Sequence, residues 1–230
     1  MLAAGVGSRL GSVTERVPKP MVALGGTSIL EHNVCTLAAA GYRELIVNTH
    51  HLADQVVAAL GDGSRFGVRI DWSPEPTLLG TAGALLAREE RLRQGPFVVL
   101  YGDNLMRCDV AAPLAAHARS GAVLTVTWIE RDDAGTSGVL TFGAHGRLFG
   151  FVEKPGSSVV GPARVNAGLL VADPRVLDFI PRTPPSDLSH DVIPALLATG
   201  EPVHTMALDG DIVWIDTPAD LAAARLQVIG

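Results

Sequence analysis

The opening segment Leu2-Ala3-Ala4-Gly5-Val6-Gly7-Ser8-Arg9-Leu10 sets two glycines and several small residues ahead of an arginine. Backbone amides in such a turn can approach an anion closely, because no side chain stands in the way. Leu10 replaces the third glycine of a dinucleotide fingerprint, and the Gly-Lys-Ser/Thr ending of a phosphate loop is missing. Taken alone, the run reads equally well as a plain strand-to-helix turn. Further on, Lys19 is fixed between Pro18 and Pro20, and the prolines reduce the entropy lost in presenting its charge. Later the apolar run Phe97-Val98-Val99-Leu100-Tyr101 stops at Gly102-Asp103, which puts a carboxylate at the end of a buried strand.

The elements that position these groups alternate in type. Ser28-Ile29-Leu30-Glu31 forms a capping box, and Ile29, Leu30, Val34 and Leu37 recur at helical spacing up to Gly41. Leu45 to Val47 is a short apolar strand, Ala53 to Leu60 a helix ended by Gly61, and Val68 to Trp72 an alternating strand. Thr81 to Arg93 reads as a helix before the Phe97–Tyr101 strand, which is expected to be parallel. Repeated strand-helix-strand order implies a mostly parallel mixed sheet covered on both faces, with ligands beyond the carboxyl ends of its strands. From residue 122 the runs Val123–Ile129, Gly138–Phe142, Leu148–Val152 and Val165–Val171 predict a small antiparallel extension. Later helices are predicted at Pro174–Ile180, His190–Thr199 and Pro218–Val228, the last capped by Thr217. A single domain over 1–230 is expected, with 1–120 and 121–230 as its halves.

Composition narrows the partners. A net charge of -6 with 18% charged residues leaves no cationic footprint for nucleic acid. No apolar run reaches the roughly 20 residues of a membrane span, and Arg9 and the early glycines do not suit a signal peptide. Cys35 and Cys108 suggest neither a disulfide framework nor a zinc site, so a cytoplasmic location is expected. His50 and His51 are adjacent on a strand end and point to opposite faces, which favours loop and capping roles over joint metal ligation.

Together, Leu-Ala-Ala-Gly, the Gly7-Ser8-Arg9-Leu10 continuation and Pro18-Lys19-Pro20 resemble the sugar-1-phosphate nucleotidylyltransferases. The resemblance runs on through Glu75 with Leu79-Gly80-Thr81-Ala82-Gly83, then Gly102-Asp103-Asn104, Phe151-Val152-Glu153-Lys154-Pro155, Asn166-Ala167-Gly168 and Trp214-Ile215-Asp216-Thr217-Pro218. It implies a Rossmann-like, GT-A-type three-layer α/β sandwich, its first half binding nucleotide and its second half sugar phosphate. By match, Leu2, Ala3, Ala4, Gly5 and Gly7 hold the triphosphate, Arg9 and Lys19 neutralise it, and Glu75, Gly80 and Thr81 lie where the base is read. Asp103 and Asp216 bind Mg²⁺, Lys154 holds the sugar phosphate, and Asn104, Glu153, Asn166 and Gly168 complete the sugar-phosphate site. Arg9, Lys19, Asp103 and Lys154 form the implied catalytic set.

These residue types suit the implied chemistry for independent reasons. A sugar phosphate oxygen attacks the α-phosphorus of another anion, so two repelling charges must be aligned and the departing pyrophosphate stabilised. Mg²⁺ commonly takes one or two carboxylates and completes its shell with phosphate oxygens and water. The nucleophile is already anionic, so no general base is required.

The base-reading segment looks most like guanylyltransferases acting on mannose or heptose 1-phosphates, with Glu75 a natural acceptor for guanine N–H donors. Thymidylyl-, uridylyl- and cytidylyltransferases share the frame. A catalytically inactive regulatory subunit is the alternative from another class, and the retained cations and carboxylates oppose it. Asp209-Gly210-Asp211 imitates the Asp-x-Asp of glycosyltransferases, but Asp-Gly between two apolar runs reads better as a hairpin turn. Two departures from the family stand out. The chain has only Met1 before Leu-Ala-Ala-Gly, which suggests a shortened first strand, and Ser137 replaces an aromatic residue. No hexapeptide repeats follow, and a homo-oligomer is compatible with the reading.

Overall fold

The computed structural model describes residues 1–159 and 161–229. Strands β1 (Ala23–Leu24) and β2 (Thr27–Ser28) lead into helix α1 (Ile29–Ala39). Ser28 accepts from the Glu31 amide while Glu31 accepts from the Ser28 amide, so the expected capping box is present. Next come β3 (Glu44–Thr49), α2 (Ala53–Leu60) and β4 (Arg69–Pro74), then α3 (Gly80–Leu86), α4 (Glu89–Leu92), β5 (Phe97–Leu100), β6 (Leu105–Cys108) and α5 (Ala112–Ser120). The later strands are β7 (Leu124–Arg131), β8 (Gly138–Phe142), β9 (Leu148–Glu153) and β10 (Ala163–Ala172). The order ends with α6 (Ile193–Ala198), β11 (Val203–Ala207), β12 (Gly210–Val213) and α7 (Pro218–Ile229).

These elements form two compact units interleaved along the chain, each drawing on segments from both sides of residue 120. The first gathers Met1–Leu78, Tyr101–Val110 and the chain from Gly210 on; the second holds Leu79–Leu100 and Ala111–Asp209.

In the first unit β3 and β4 pair in parallel from Glu44 opposite Arg69 to Thr49 opposite Pro74. Leu2 bridges both Asn48 and Tyr101 in parallel, so the short opening segment is a strand position between them. The β6 strand pairs antiparallel with β12. Leu10, Val22, Leu24, Ile29, Leu105, Val213, Ile215, Leu221 and Ala224 form one buried cluster. That cluster draws the glycine-rich loop, β6, β12 and α7 onto common anchors, and burial of each large apolar side chain stabilises by about 1.5–3 kcal/mol.

In the second unit β10 is the hub, antiparallel to β5, β7 and β8, with β9 on β8 and β11 parallel to β7. This is the expected antiparallel addition, although β5 joins it: Phe97–Leu100 was expected to be parallel and instead lies antiparallel against Leu169–Ala172. Both runs are apolar, and a run buried on both faces suits either direction of pairing. The predicted helix from Thr81 to Arg93 is broken at Arg88, whose φ of -121° and ψ of 24° separate α3 from α4. Pro174–Phe179 forms 3-10 turns behind an Asp173 cap, not an α-helix. His190–Thr199 begins in a π turn, Leu188–Val192, because Pro194 cannot donate an amide to the preceding turn.

The hairpin expected at Asp209-Gly210 does not form. Its flanking strands go to different partners, β11 to β7 and β12 to β6. Gly210 has φ 122° and its α-carbon faces the Arg107 carbonyl and Cys108 so closely that a Cβ would collide with both. The glycine permits close strand approach, not a two-residue turn.

Among the described residues, no helix is long and apolar enough to cross a membrane. The cysteines differ in environment. Cys35 is exposed, whereas burial, aided by nearby Asp109, raises the Cys108 thiol to about 11. At about pH 8 a disulfide reagent should therefore modify native Cys35 rapidly and Cys108 slowly, because the thiolate is the nucleophile. The unfolded chain should lose that difference, and equal native rates would contradict the burial of Cys108. A raised folded-state value also means that this thiol's contribution to stability is full below about pH 9 and falls as pH climbs towards about 11.

Candidate active site

The first unit assembles its charged groups from four separated stretches of sequence. Gly7, at φ 69°, lies so close to the Lys19 stem that a Cβ there would stand 2.7 Å from Lys19 Cβ. The glycine of the opening motif is therefore what lets the lysine lie against the loop. Thr14 Oγ1 donates to the carbonyls of Gly7 and Gly11, and Leu10 inserts into the buried cluster beneath, which leaves Arg9 outside. Pro18-Lys19-Pro20 enters a 3-10 turn in which the Met21 amide bonds the Pro18 carbonyl.

Lys19 is 4% exposed, and its Nζ donates to Asp103 Oδ2 at 2.9 Å and Asp216 Oδ1 at 3.0 Å. Arg9 donates to the same Asp216 oxygen at 3.0 Å. Gly5, Gly7, Ser8, Arg9, Lys19, Asp103 and Asp216 line one cleft of about 180 Å³. Two cations and two carboxylates thus meet at the mouth of a glycine-rich loop.

Buried asparagines hold the carboxylate segments in register. Asn104 Oδ1 accepts from the Ile215 amide, the residue before Asp216, while the Asn104 carbonyl accepts from Asn33 of α1. Asn33 Oδ1 also accepts from the Met106 amide. Thr217 and Asp220 cap α7 reciprocally, and Asp220 accepts from the Asp216 amide as well. Asn104, expected among the sugar-phosphate ligands, is buried and has these structural duties.

Of the other nucleotide candidates in this unit, Leu2 is a strand position, Ala3 and Ala4 are buried, and Glu75 is 4% exposed. Glu75 Oε1 accepts from Asn48 Nδ2 at 2.8 Å, and Asn48 Oδ1 accepts from the Ala3 amide at 2.6 Å. His50 and His51 bond the carbonyls of Glu75 and Thr14 respectively, so they secure loops as the sequence suggested.

Gly80, Thr81, Glu153, Lys154, Asn166 and Gly168 belong to the second unit. The Gly80 α-carbon, at φ 79°, abuts the Ser186 carbonyl, leaving no room for a Cβ. Thr81 Oγ1 donates to Asp187 Oδ2 at 2.7 Å and accepts from the Leu188 amide. Gly80→Ala should therefore destabilise by about 2 kcal/mol or more, lowering Tm by about 4–8 °C. An unchanged melting temperature would contradict the backbone contact.

Lys154, at φ 46° with a side chain 61% exposed, has its amide on the Ser137 carbonyl and its Nζ 3.5 Å from Glu153 Oε1. Gly138 lies opposite Glu153 in the β8–β9 ladder, and a Cβ on it would stand 2.7 Å from Glu153 Oε2. Asn166 accepts from the Gly168 amide at 2.9 Å where the β10 register shifts. Gly168, at φ 76°, supplies the conformation that this bulge needs.

A family model described as nucleotidyl transferase matches residues 1–225. The chain belongs to the nucleotidyl transferase family. This nucleotidyl transferase is 32% identical to a mannose-1-phosphate guanylyltransferase of Mycobacterium tuberculosis, over all of this chain and 64% of that protein. It is 31% identical to a UTP--glucose-1-phosphate uridylyltransferase of Synechocystis, over 94% of this chain and 58% of that protein. The chain thus spans about three fifths of these relatives' lengths.

A putative glucose-1-phosphate thymidylyltransferase from Bacillus anthracis shares its fold with a TM-score of 0.87, at 22% identity and with 99% and 93% of the two chains covered. HddC from Yersinia pseudotuberculosis, complexed with GMP-PN, gives 0.82 at 23% identity, covering 98% and 96%. The mixed α/β class with a mostly parallel central sheet is shared with such structures, and the resemblance drawn from the motifs holds.

The donor chemistry of the cleft fits Mg²⁺. Among the described residues no group of three or more His, Cys, Asp or Glu is arranged to hold a metal, so a protein-only cage is not offered. Two converging carboxylates are the one or two that Mg²⁺ commonly takes beside phosphate oxygens.

Proposed function

We propose that this nucleotidyl transferase joins the nucleoside monophosphate of an NTP to a sugar 1-phosphate, releasing pyrophosphate. The observation that carries the reading is the convergence of Lys19, Arg9, Asp103 and Asp216 on the loop containing Gly5 and Gly7. The loop amides and the two cations receive the triphosphate, whose charge would otherwise repel the incoming phosphate. Asp103 and Asp216 would hold Mg²⁺, which supplies Lewis-acid neutralisation of charge on the phosphates. Lys154, with a largely exposed ammonium beside Glu153, is assigned to the sugar phosphate, and Glu153, Asn166 and Gly168 to the sugar.

GTP is our choice of donor, with mannose or heptose 1-phosphate as acceptor. The base-reading segment and the mannose-1-phosphate guanylyltransferases among the relatives support it, while a uridylyltransferase relative keeps UTP as the competing donor. Glu75 spends one carboxylate oxygen on Asn48, so we assign it to holding the Ala3 amide as well as to the base pocket. Incubation with Mg²⁺, each of GTP, UTP, CTP and dTTP, and a panel of sugar 1-phosphates, with pyrophosphate as readout, identifies both substrates. The highest kcat/KM should fall on GTP with a mannose-type acceptor. A higher value for UTP with glucose 1-phosphate would overturn that choice while leaving the reaction class intact.

A further inference from the structure

We propose that Lys19 is an internal counter-ion that keeps Asp103 and Asp216 closed to a free divalent cation until a triphosphate draws it away, so that nucleotide and metal enter together. The inference rests on the reaction proposed above and adds an order of binding to it.

A buried ammonium has to be paired, since its solvation is lost. Lys19 spends two charge-assisted hydrogen bonds on Asp103 Oδ2 and Asp216 Oδ1, and Arg9 takes a third bond on that same Asp216 oxygen. A divalent cation bonds carboxylate oxygens at about 2.0–2.1 Å if it is Mg²⁺. It would share both carboxylates with Nζ, which already bonds one oxygen of each, and two cations so close together repel. Lys19 therefore has to leave before the metal can settle.

The leaving path is already defined. The lysine stem runs along Gly7, and the glycine-rich loop lines the same cleft as Nζ. A lysine carries its charge on a flexible stem with three rotatable donors, so Nζ can exchange carboxylate acceptors for phosphate acceptors by side-chain rotation alone. Arg9, on a side chain 56% exposed, can make the same exchange. Binding of nucleotide then opens the carboxylates, and by linkage the metal tightens nucleotide binding to the same degree.

The test measures Mn²⁺ affinity by the loss of its free-ion electron paramagnetic resonance signal, for the intact chain and for Lys19→Met and Lys19→Gln. Folding of each variant is checked by circular dichroism, and two uncharged variants are used in case one fails to fold. The wild type should bind Mn²⁺ weakly alone and at least about 10-fold more tightly with a non-hydrolysable GTP analogue. The folded variant should bind Mn²⁺ alone at least about 10-fold more tightly than the wild type and lose most of the nucleotide-dependent gain. Equal or weaker Mn²⁺ binding by a folded variant would overturn the proposal, as would wild-type affinity that nucleotide leaves unchanged. If the wild type nonetheless makes NDP-sugar, only the counter-ion role falls. If it makes none with any NTP, the parent reading falls, and the order of binding with it.

Discussion

Asp103→Ala should lower turnover by more than about 100-fold, the scale on which losing even an outer partner of a metal is felt. Asp103 sits just past β5, where the Gly102 amide bonds the Leu2 carbonyl and so fixes the turn that presents the carboxylate. Removing it would leave the proposed Mg²⁺ one carboxylate and leaves Lys19 with Asp216 alone. Asp211→Ala is the contrasting variant. Its carboxylate is exposed on β12 and accepts from the adjacent Ile212 amide, outside the residues that line the cleft. Turnover by Asp211→Ala should stay within about 2-fold of wild type, since surface substitutions away from special features change little. Steady-state pyrophosphate release checks both, and comparable losses from the two would revive a metal role for the Asp209–Asp211 segment.

Lys19→Ala should reduce kcat by about 10²–10³-fold, as loss of one preorganised charge-stabilising donor does elsewhere. Lys19 is a buried cation aimed at the meeting point of two carboxylates, and its position is held by two prolines and by contact with Gly7. An effect on kcat and kcat/KM alike would show that its charge acts in the transition state. An unchanged kcat with a raised KM would confine it to ground-state binding. An unaltered rate in both parameters would remove it from the catalytic set.

The site was legible in the sequence to the extent that its members lie in short, compositionally distinctive stretches. Pro18-Lys19-Pro20 and Gly102-Asp103 announce a constrained cation and a strand-end carboxylate, and the structure brings both to Asp216. Ser28 and Glu31 likewise specify their helix start through local hydrogen bonds.

What the sequence concealed depends on distant partners. Asn33 and Asn48 carry no motif, yet one binds Asn104 and Met106 and the other links Glu75 to Ala3. A weak signal existed for Asn33, a polar residue on the otherwise apolar buried face of α1. Gly210 misled because Asp-Gly has the same composition in a hairpin and in a close strand approach, and the Arg107 carbonyl opposite decides between them. The direction of β5 was hidden for a similar reason, since a fully buried apolar run does not encode the direction of its neighbour.

The most direct test of the central claim follows the α-phosphate itself. Protein, Mg²⁺, mannose 1-phosphate and GTP labelled at the α-phosphorus should yield labelled NDP-sugar and pyrophosphate in equal amounts, with no label released when the sugar phosphate is omitted. Label that never enters an NDP-sugar, with any of the four nucleotides and any sugar 1-phosphate, would contradict the account.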